Sequence, residues 1–140
     1  MRAQASIELL LVFLVSVAFL LAMMPLISGV SGLARHAAVS KQAETEFERL
    51  YGDMREAFVL GDGTRIGRDG AFAANTSLRT LPGGTLAMFF NDSGREENVT
   101  RALGFVPALP EGVFEKGAYS FAVSNDGGEV RLEITRRTTT

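Results

Sequence analysis

The chain has no cysteine. That excludes disulfides, thiolate nucleophiles and zinc–thiolate sites. Net charge is also scarce, at −2 over 140 residues. Phosphate binding needs a basic surface, so no nucleic-acid partner is expected. The one histidine, His36, lies just past an apolar run and reads as a solvated interfacial residue. Gly61-Asp62-Gly63 with Asp69 fits no standard calcium loop and reads as a turn. The sequence holds no metal-ligand, nucleophile or phosphate-loop pattern, so neither an enzyme nor a cofactor is expected.

The most informative absence is local. Residues 9–27 contain no charge. As a helix rising about 1.5 Å per residue, this run covers roughly 28 Å, close to the hydrocarbon thickness of a bilayer. It reads as one membrane-spanning helix, opened by the polar patch Gln4–Glu8. Pro25 lacks a backbone donor and clashes with the preceding turn. With Gly29 and Gly32 following, the helix is expected to bend or loosen between Met24 and Gly32.

From Leu33 to about Leu60 the pattern becomes one-sided. Val39, Ala43, Phe47, Leu50, Met54 and Phe58 recur at three- or four-residue spacing, and Tyr51 and Ala57 widen the stripe. Lys41, Glu44, Glu48, Arg49, Asp53 and Arg55 take the other faces, and Gly61-Asp62-Gly63 stops the helix. Residues 5–60 thus read as one long, bent helix, apolar all round and then apolar on one side.

Past Gly61 the period shortens. Tyr119, Phe121 and Val123 alternate with small or polar residues, as do Val130, Leu132 and Ile134 with charged ones. Asn125-Asp126-Gly127-Gly128 between them has turn chemistry, which predicts a β-hairpin with one buried face. Residues 85–91 fit a strand, including the aromatic pair Phe89-Phe90 as strand core. Residues 79–81 and 98–103 are candidates for others, and Pro107 and Pro110 mark a loop. A sheet of ~80 residues buries little core alone. It is expected to pack across the stripe on residues 39–58. The predicted class is α+β, a long hydrophobic-then-amphipathic N-terminal helix on a small antiparallel β-sheet head.

The N-terminus reads Met1-Arg2-Ala3-Gln4-Ala5-Ser6-Ile7-Glu8-Leu9. It resembles the class III signal peptide of archaeal type IV pilin-like proteins. In that family a short basic leader ends in a small residue, and a Gln-x-Ser-x-Glu patch opens the hydrophobic helix. Arg2 and Ala3 match the leader's end, and Gln4, Ser6 and Glu8 match the patch. The resemblance implies a prepilin peptidase cut between Ala3 and Gln4, leaving Glu8 as the fifth residue of the processed chain. Pro25 falls where many pilins carry a helix-kinking proline. The implied partners are the membrane, a prepilin peptidase and other pilin-like subunits in a homo- or hetero-filament.

The resulting division is residues 1–3 as leader, 4–32 as transmembrane and filament-core helix, 33–60 as amphipathic helix, and 61–140 as a β-rich extracellular head. The N-terminus would lie inside and the head outside. Asn75-Thr76-Ser77, Asn91-Asp92-Ser93 and Asn98-Val99-Thr100 are possible N-glycosylation sequons that favour this placement, each locally polar enough for a surface loop.

Glu8 has two readings. One is a carboxylate at headgroup depth, favoured by the helix dipole. The other is an assembly residue that pairs with the α-amine of a neighbouring processed subunit, since an unpaired carboxylate in hydrocarbon is expensive. Two rivals to a filament subunit also stand: a non-polymerising single-pass surface protein, and a secreted binding protein cut after Val30-Ser31-Gly32. Against the latter, the uncharged run exceeds the usual ~7–15 residues of a signal-peptide core.

Overall fold

The computed structural model describes residues 2–138, with side chains described from Ile7 onward. Its first element is helix α1, Arg2–Leu60. Six strands follow: β1 Arg65–Phe72, β2 Asn75–Leu81, β3 Thr85–Asp92, β4 Arg95–Ala102, β5 Gly117–Asp126 and β6 Glu129–Arg136. The chain divides into two compact units, Met1–Ala37 and Ala38–Thr140.

In the first unit the helix runs unbroken through Pro25, Gly29 and Gly32, so the loosening expected there is absent. Proline removes one donor and leaves the rest of the ladder available. The Ser28 hydroxyl donates to the carbonyls of Met24 at 3.1 Å and Pro25 at 3.0 Å.

In the second unit the six strands form two three-stranded antiparallel sheets, β1-β5-β6 and β2-β3-β4, rather than one. The amphipathic part of α1 packs on both. Phe47, Leu50, Met54 and Ala57 are fully buried and Ala43 nearly so. They share a core with Phe72, Tyr119, Phe121, Val123, Val130 and Leu132 of one sheet and Leu78, Leu86, Met88 and Phe90 of the other. Phe58 departs from the expected stripe. It is 46% exposed and stacks on Phe105 at 4.3 Å, while Ala57 fills the buried position.

Ion pairs flank the stripe. On one side Arg68 of β1 reaches Glu46 at 2.7 Å and Asp53 at 2.6 Å. On the other, Arg101 of β4 reaches Glu48 at 2.6 Å, and the Ser40 hydroxyl donates to Glu97 at 2.8 Å. These contacts explain why β1 escaped the sequence pattern. Its inward positions are Ile66, Arg68, Gly70 and Phe72. Two of the four carry no hydrophobic side chain, because Arg68 faces helix carboxylates instead. Gly70 is there for space: a Cβ would come within 2.8–2.9 Å of Phe121, Arg68 and Glu46.

Turn chemistry sets the registers. Gly127 and Gly128, both at positive φ, link the paired residues Asp126 and Glu129. Two such residues make the primed hairpin turn that matches strand twist. The strands therefore extend two residues into the tetrad expected as the turn. Ser93 and Gly94, at φ 55° and 85°, do the same between Asp92 and Arg95. Gly61, at φ 86°, ends the helix by donating to the Ala57 carbonyl, which also accepts from the buried Asn125 side chain at 3.0 Å.

The segment after β4 stitches one outer strand of each sheet, β6 and β2. Ala108 exchanges backbone bonds with Val130 and Leu132 at 2.8 and 2.9 Å, and Phe114 exchanges two with Thr76 at 2.7 and 2.8 Å.

Candidate functional site

The chemistry-bearing features lie in two places, one in each unit. In the first unit the apolar side chains point outward all round the helix. Leu9, Phe13, Leu20 and Met24 are 76%, 69%, 66% and 67% exposed. The hydroxyls of Ser16 and Ser28 are satisfied within the helix, Ser16 donating to the Val12 carbonyl at 2.8 Å. The segment is long and apolar enough to cross a membrane. A surface of this composition is stable only where lipid or other apolar helices replace water.

Glu8 is exposed one residue before the uncharged run. The helical backbone begins at Arg2, ahead of the expected start at Ala5. The side chains of Arg2, Ala3 and Gln4, expected to form the processing site, lie outside the described residues. Pro25 sits inside the helix and its neighbours Met24 and Leu26 are exposed.

In the second unit, all three sequon asparagines are exposed. All three lie on strands, as the strand candidates 85–91 and 98–103 already allowed for Asn91 and Asn98. Asn75 opens β2, Asn91 is near the end of β3, and Asn98 is within β4. Register brings them together. Asn75 pairs directly with Asn91, and Phe89, two residues before Asn91, pairs with Ser77 on one side and Asn98 on the other. Side chains alternate along a strand, so these residues share one face of β2-β3-β4. It is the outward face, because the alternating partners Thr76, Leu78, Leu86, Met88 and Phe90 are buried. Phe89 lies half-buried on it, with the Arg79 guanidinium 5.5 Å from its ring centroid.

The acidic turn residues separate. Asp62 accepts from the Gly127 amide at 2.6 Å, while Asp69 accepts from the Ser120 hydroxyl and from Arg137. Each serves as a local tie between segments. Glu46 was invisible as a special residue in the sequence, yet it is 6% exposed and bound to Arg68. The signal that could have found it is its place at the border of the apolar stripe, one residue before Phe47.

The architecture defines an α+β chain with an N-terminal helix capable of spanning a bilayer. No protein-family model, curated protein or solved structure matches the chain.

Proposed function

We propose that this chain is a structural subunit of a type IV pilus-like surface filament, held in the membrane before assembly. The observation that carries this reading is the contrast within α1: an apolar surface exposed all round over the first unit, joined in sequence to a head with its own buried core. A helix of that kind needs a nonpolar surrounding twice over, first lipid and then the helices of neighbouring subunits. Transfer from one to the other exposes no apolar surface to water. The N-terminal motif supplies the release step, a prepilin peptidase cut before Gln4. The new α-amine then lies a few residues from Glu8. In the filament core the Glu8 carboxylate of one subunit pairs with the amine of the next, neutralising both and setting the axial register. The Met1 end lies inside and the β-rich head outside, and the role is structural, not catalytic.

Glu8→Gln tests the mechanism, since it keeps shape and hydrogen bonding but removes the charge. Breaking one side of a buried pair costs about 3–5 kcal/mol, repeated at every subunit of the lattice. The variant is expected to accumulate in the membrane with a mature N-terminus at Gln4, read by mass spectrometry, and to be absent from sheared surface fractions. Wild-type amounts of filament would remove Glu8 from the mechanism. An uncut Met1 with no filaments would favour a non-polymerising anchored protein, and a mature chain starting at Leu33 a secreted one.

A further inference from the structure

We infer that the free edge of β4 is a docking strand for the β4 edge of a second copy of this chain, the two heads pairing about a two-fold axis at Val99. The inference concerns the head alone and does not require that the chain assemble into a filament.

Strand β4 is an outer strand of β2-β3-β4, paired to β3 and to no other strand. The segment after it lies against β6 and β2, not against β4. In such a strand every second residue turns its amide and carbonyl away from the sheet, which makes a template for one more strand. Proline or a bulge would blunt that edge, and β4 has neither from Arg95 to Ala102. Its charges are of both signs, and their order identifies the partner.

Residues 97–101 read Glu-Asn-Val-Thr-Arg. Laid antiparallel against a second copy with Val99 opposite Val99, Glu97 falls opposite Arg101 and Asn98 opposite Thr100. The symmetry makes each pair twice. Directly opposed residues share a face, with Cβ atoms about 4.5–5.5 Å apart, so each pair is within reach. Asn98 and Thr100 are exposed on the outward face, where they can exchange a hydrogen bond. On the inward face Glu97 and Val99 are half-buried and Arg101 is exposed. The charged side chains are already held along the edge. Arg101 binds Glu48 at 2.6 Å, and Glu97 accepts from the Ser40 hydroxyl at 2.8 Å. A guanidinium has donors to spare and a carboxylate lone pairs to spare, so each can take a second partner without releasing the first.

The register follows from the charges. A slide of two residues one way sets Arg95 against Arg101 and Glu97 against Val99. The same slide the other way sets Arg101 against Val99 and Glu97 against Leu103. A slide of one residue puts the outward set of one copy on the inward face of the other. The centre at Val99 gives both Glu97 and Arg101 an opposite charge. Strand β1, the other uncovered edge, carries glycine at 67 and 70, which present no side chain to a partner.

A two-fold axis turns one head end for end relative to the other, so the two amphipathic helix segments run in opposite directions. Subunits along one helical filament all point the same way. The contact therefore joins heads of two separate assemblies lying in opposite directions. A pairing of a few residues is weak for one head and stronger for arrays that make many such contacts together.

The test is disulfide cross-linking of the full-length protein in detergent, diluted with empty micelles so that most hold one chain. The chain has no cysteine of its own, so an introduced thiol reports one position. Val99→Cys sets two sulfurs opposite each other on the axis and is expected to give a cross-linked dimer under mild oxidation. Glu111→Cys, on an exposed loop, sets the level of chance collision. Glu97→Arg and Arg101→Glu, each added to Val99→Cys, oppose like charges and should lower the dimer several-fold. With both changes in one chain the dimer should return. It should also return when the two single variants are mixed, because one then brings only cations to the edge and the other only carboxylates. Circular dichroism checks that each variant is folded, and the Glu97→Arg arm stands even if Arg101→Glu, beside Glu48, unfolds the head. A folded Val99→Cys protein that cross-links no more than Glu111→Cys overturns the inference. So does a dimer unaffected by Glu97→Arg, or one formed instead from Gly67→Cys on β1, where a side chain meets nothing within 4 Å. A Val99→Cys dimer lost on charge reversal and regained on complementation upholds it, whether or not the chain forms filaments.

Discussion

Leu9 and Phe13 are 76% and 69% exposed, whereas Leu50 and Phe47, the same residue types on the same helix, are 0% exposed. The difference follows from how the apolar positions are distributed around the axis. Residues 9–27 are apolar on every side, and no flat sheet can cover a cylinder. Only a surrounding apolar medium can do so. From Val39 to Ala57 the apolar positions narrow to a stripe, and two small sheets suffice to cover it. Helix formation is common to both stretches, so pattern, not propensity, decides which solvent each requires.

The strongest way to break the comparison is to truncate a buried member of it. Phe47→Ala removes a fully buried ring from the core the helix shares with both sheets and is expected to destabilise the head by about 3–5 kcal/mol. Denaturant unfolding of the protein in detergent would show it. A loss under about 1 kcal/mol would mean the core repacks around the gap, outside the usual range for a phenylalanine truncation.

A smaller effect is expected at the border of the stripe. Arg68→Ala leaves Asp53, 19% exposed, without its cation and Glu46, 8% exposed, with only the longer contact to Arg49 at 3.6 Å. Hydrogen bonds to charged groups contribute about 1.5–3 kcal/mol, and that is the expected loss. Arg68→Met, which keeps the length and drops the charge, should recover part of it if desolvation of the carboxylates is modest. No recovery would assign the whole effect to charge.

The smallest effect sharpens the contrast. Leu14→Ala removes a similar apolar side chain from the first unit, where Leu14 is 62% exposed. The unfolding free energy of the head should change by less than about 0.5 kcal/mol, as for surface substitutions generally. A larger change would mean that the two units are thermodynamically linked.

Much of this was legible in the sequence where one periodicity dominated. The uncharged run, the amphipathic stripe and the β5–β6 hairpin each followed from spacing alone, because Tyr119, Phe121, Val123, Val130 and Leu132 are apolar at every second position. Strand β1 was not legible, since Arg68 and Gly70 occupy inward positions whose logic lies in Glu46 and Asp53, some twenty residues away. The start of β4, residues 95–97, was missed although 98–103 was a candidate, and its inward Glu97 and Arg101 face Ser40 and Glu48 on the helix. The division into two sheets was equally invisible, because local pattern carries no information about which strands are neighbours. The sequons were legible as motifs. Their shared face was not, because it depends on the register of three strands fixed by the Pro82-Gly83-Gly84 and Ser93-Gly94 turns.

The stitched segment after β4 has a consequence for crowding. An open strand edge is a template for any other chain with unpaired backbone groups, and the hazard grows when identical heads are held close together. Here Ala108 occupies part of the β6 edge and Phe114 part of the β2 edge, with Pro107 and Pro110 bringing no amide donors of their own. One edge of each sheet is thereby partly closed to strand addition from a neighbouring head, which leaves β1 and β4 as the outer strands this segment does not cover.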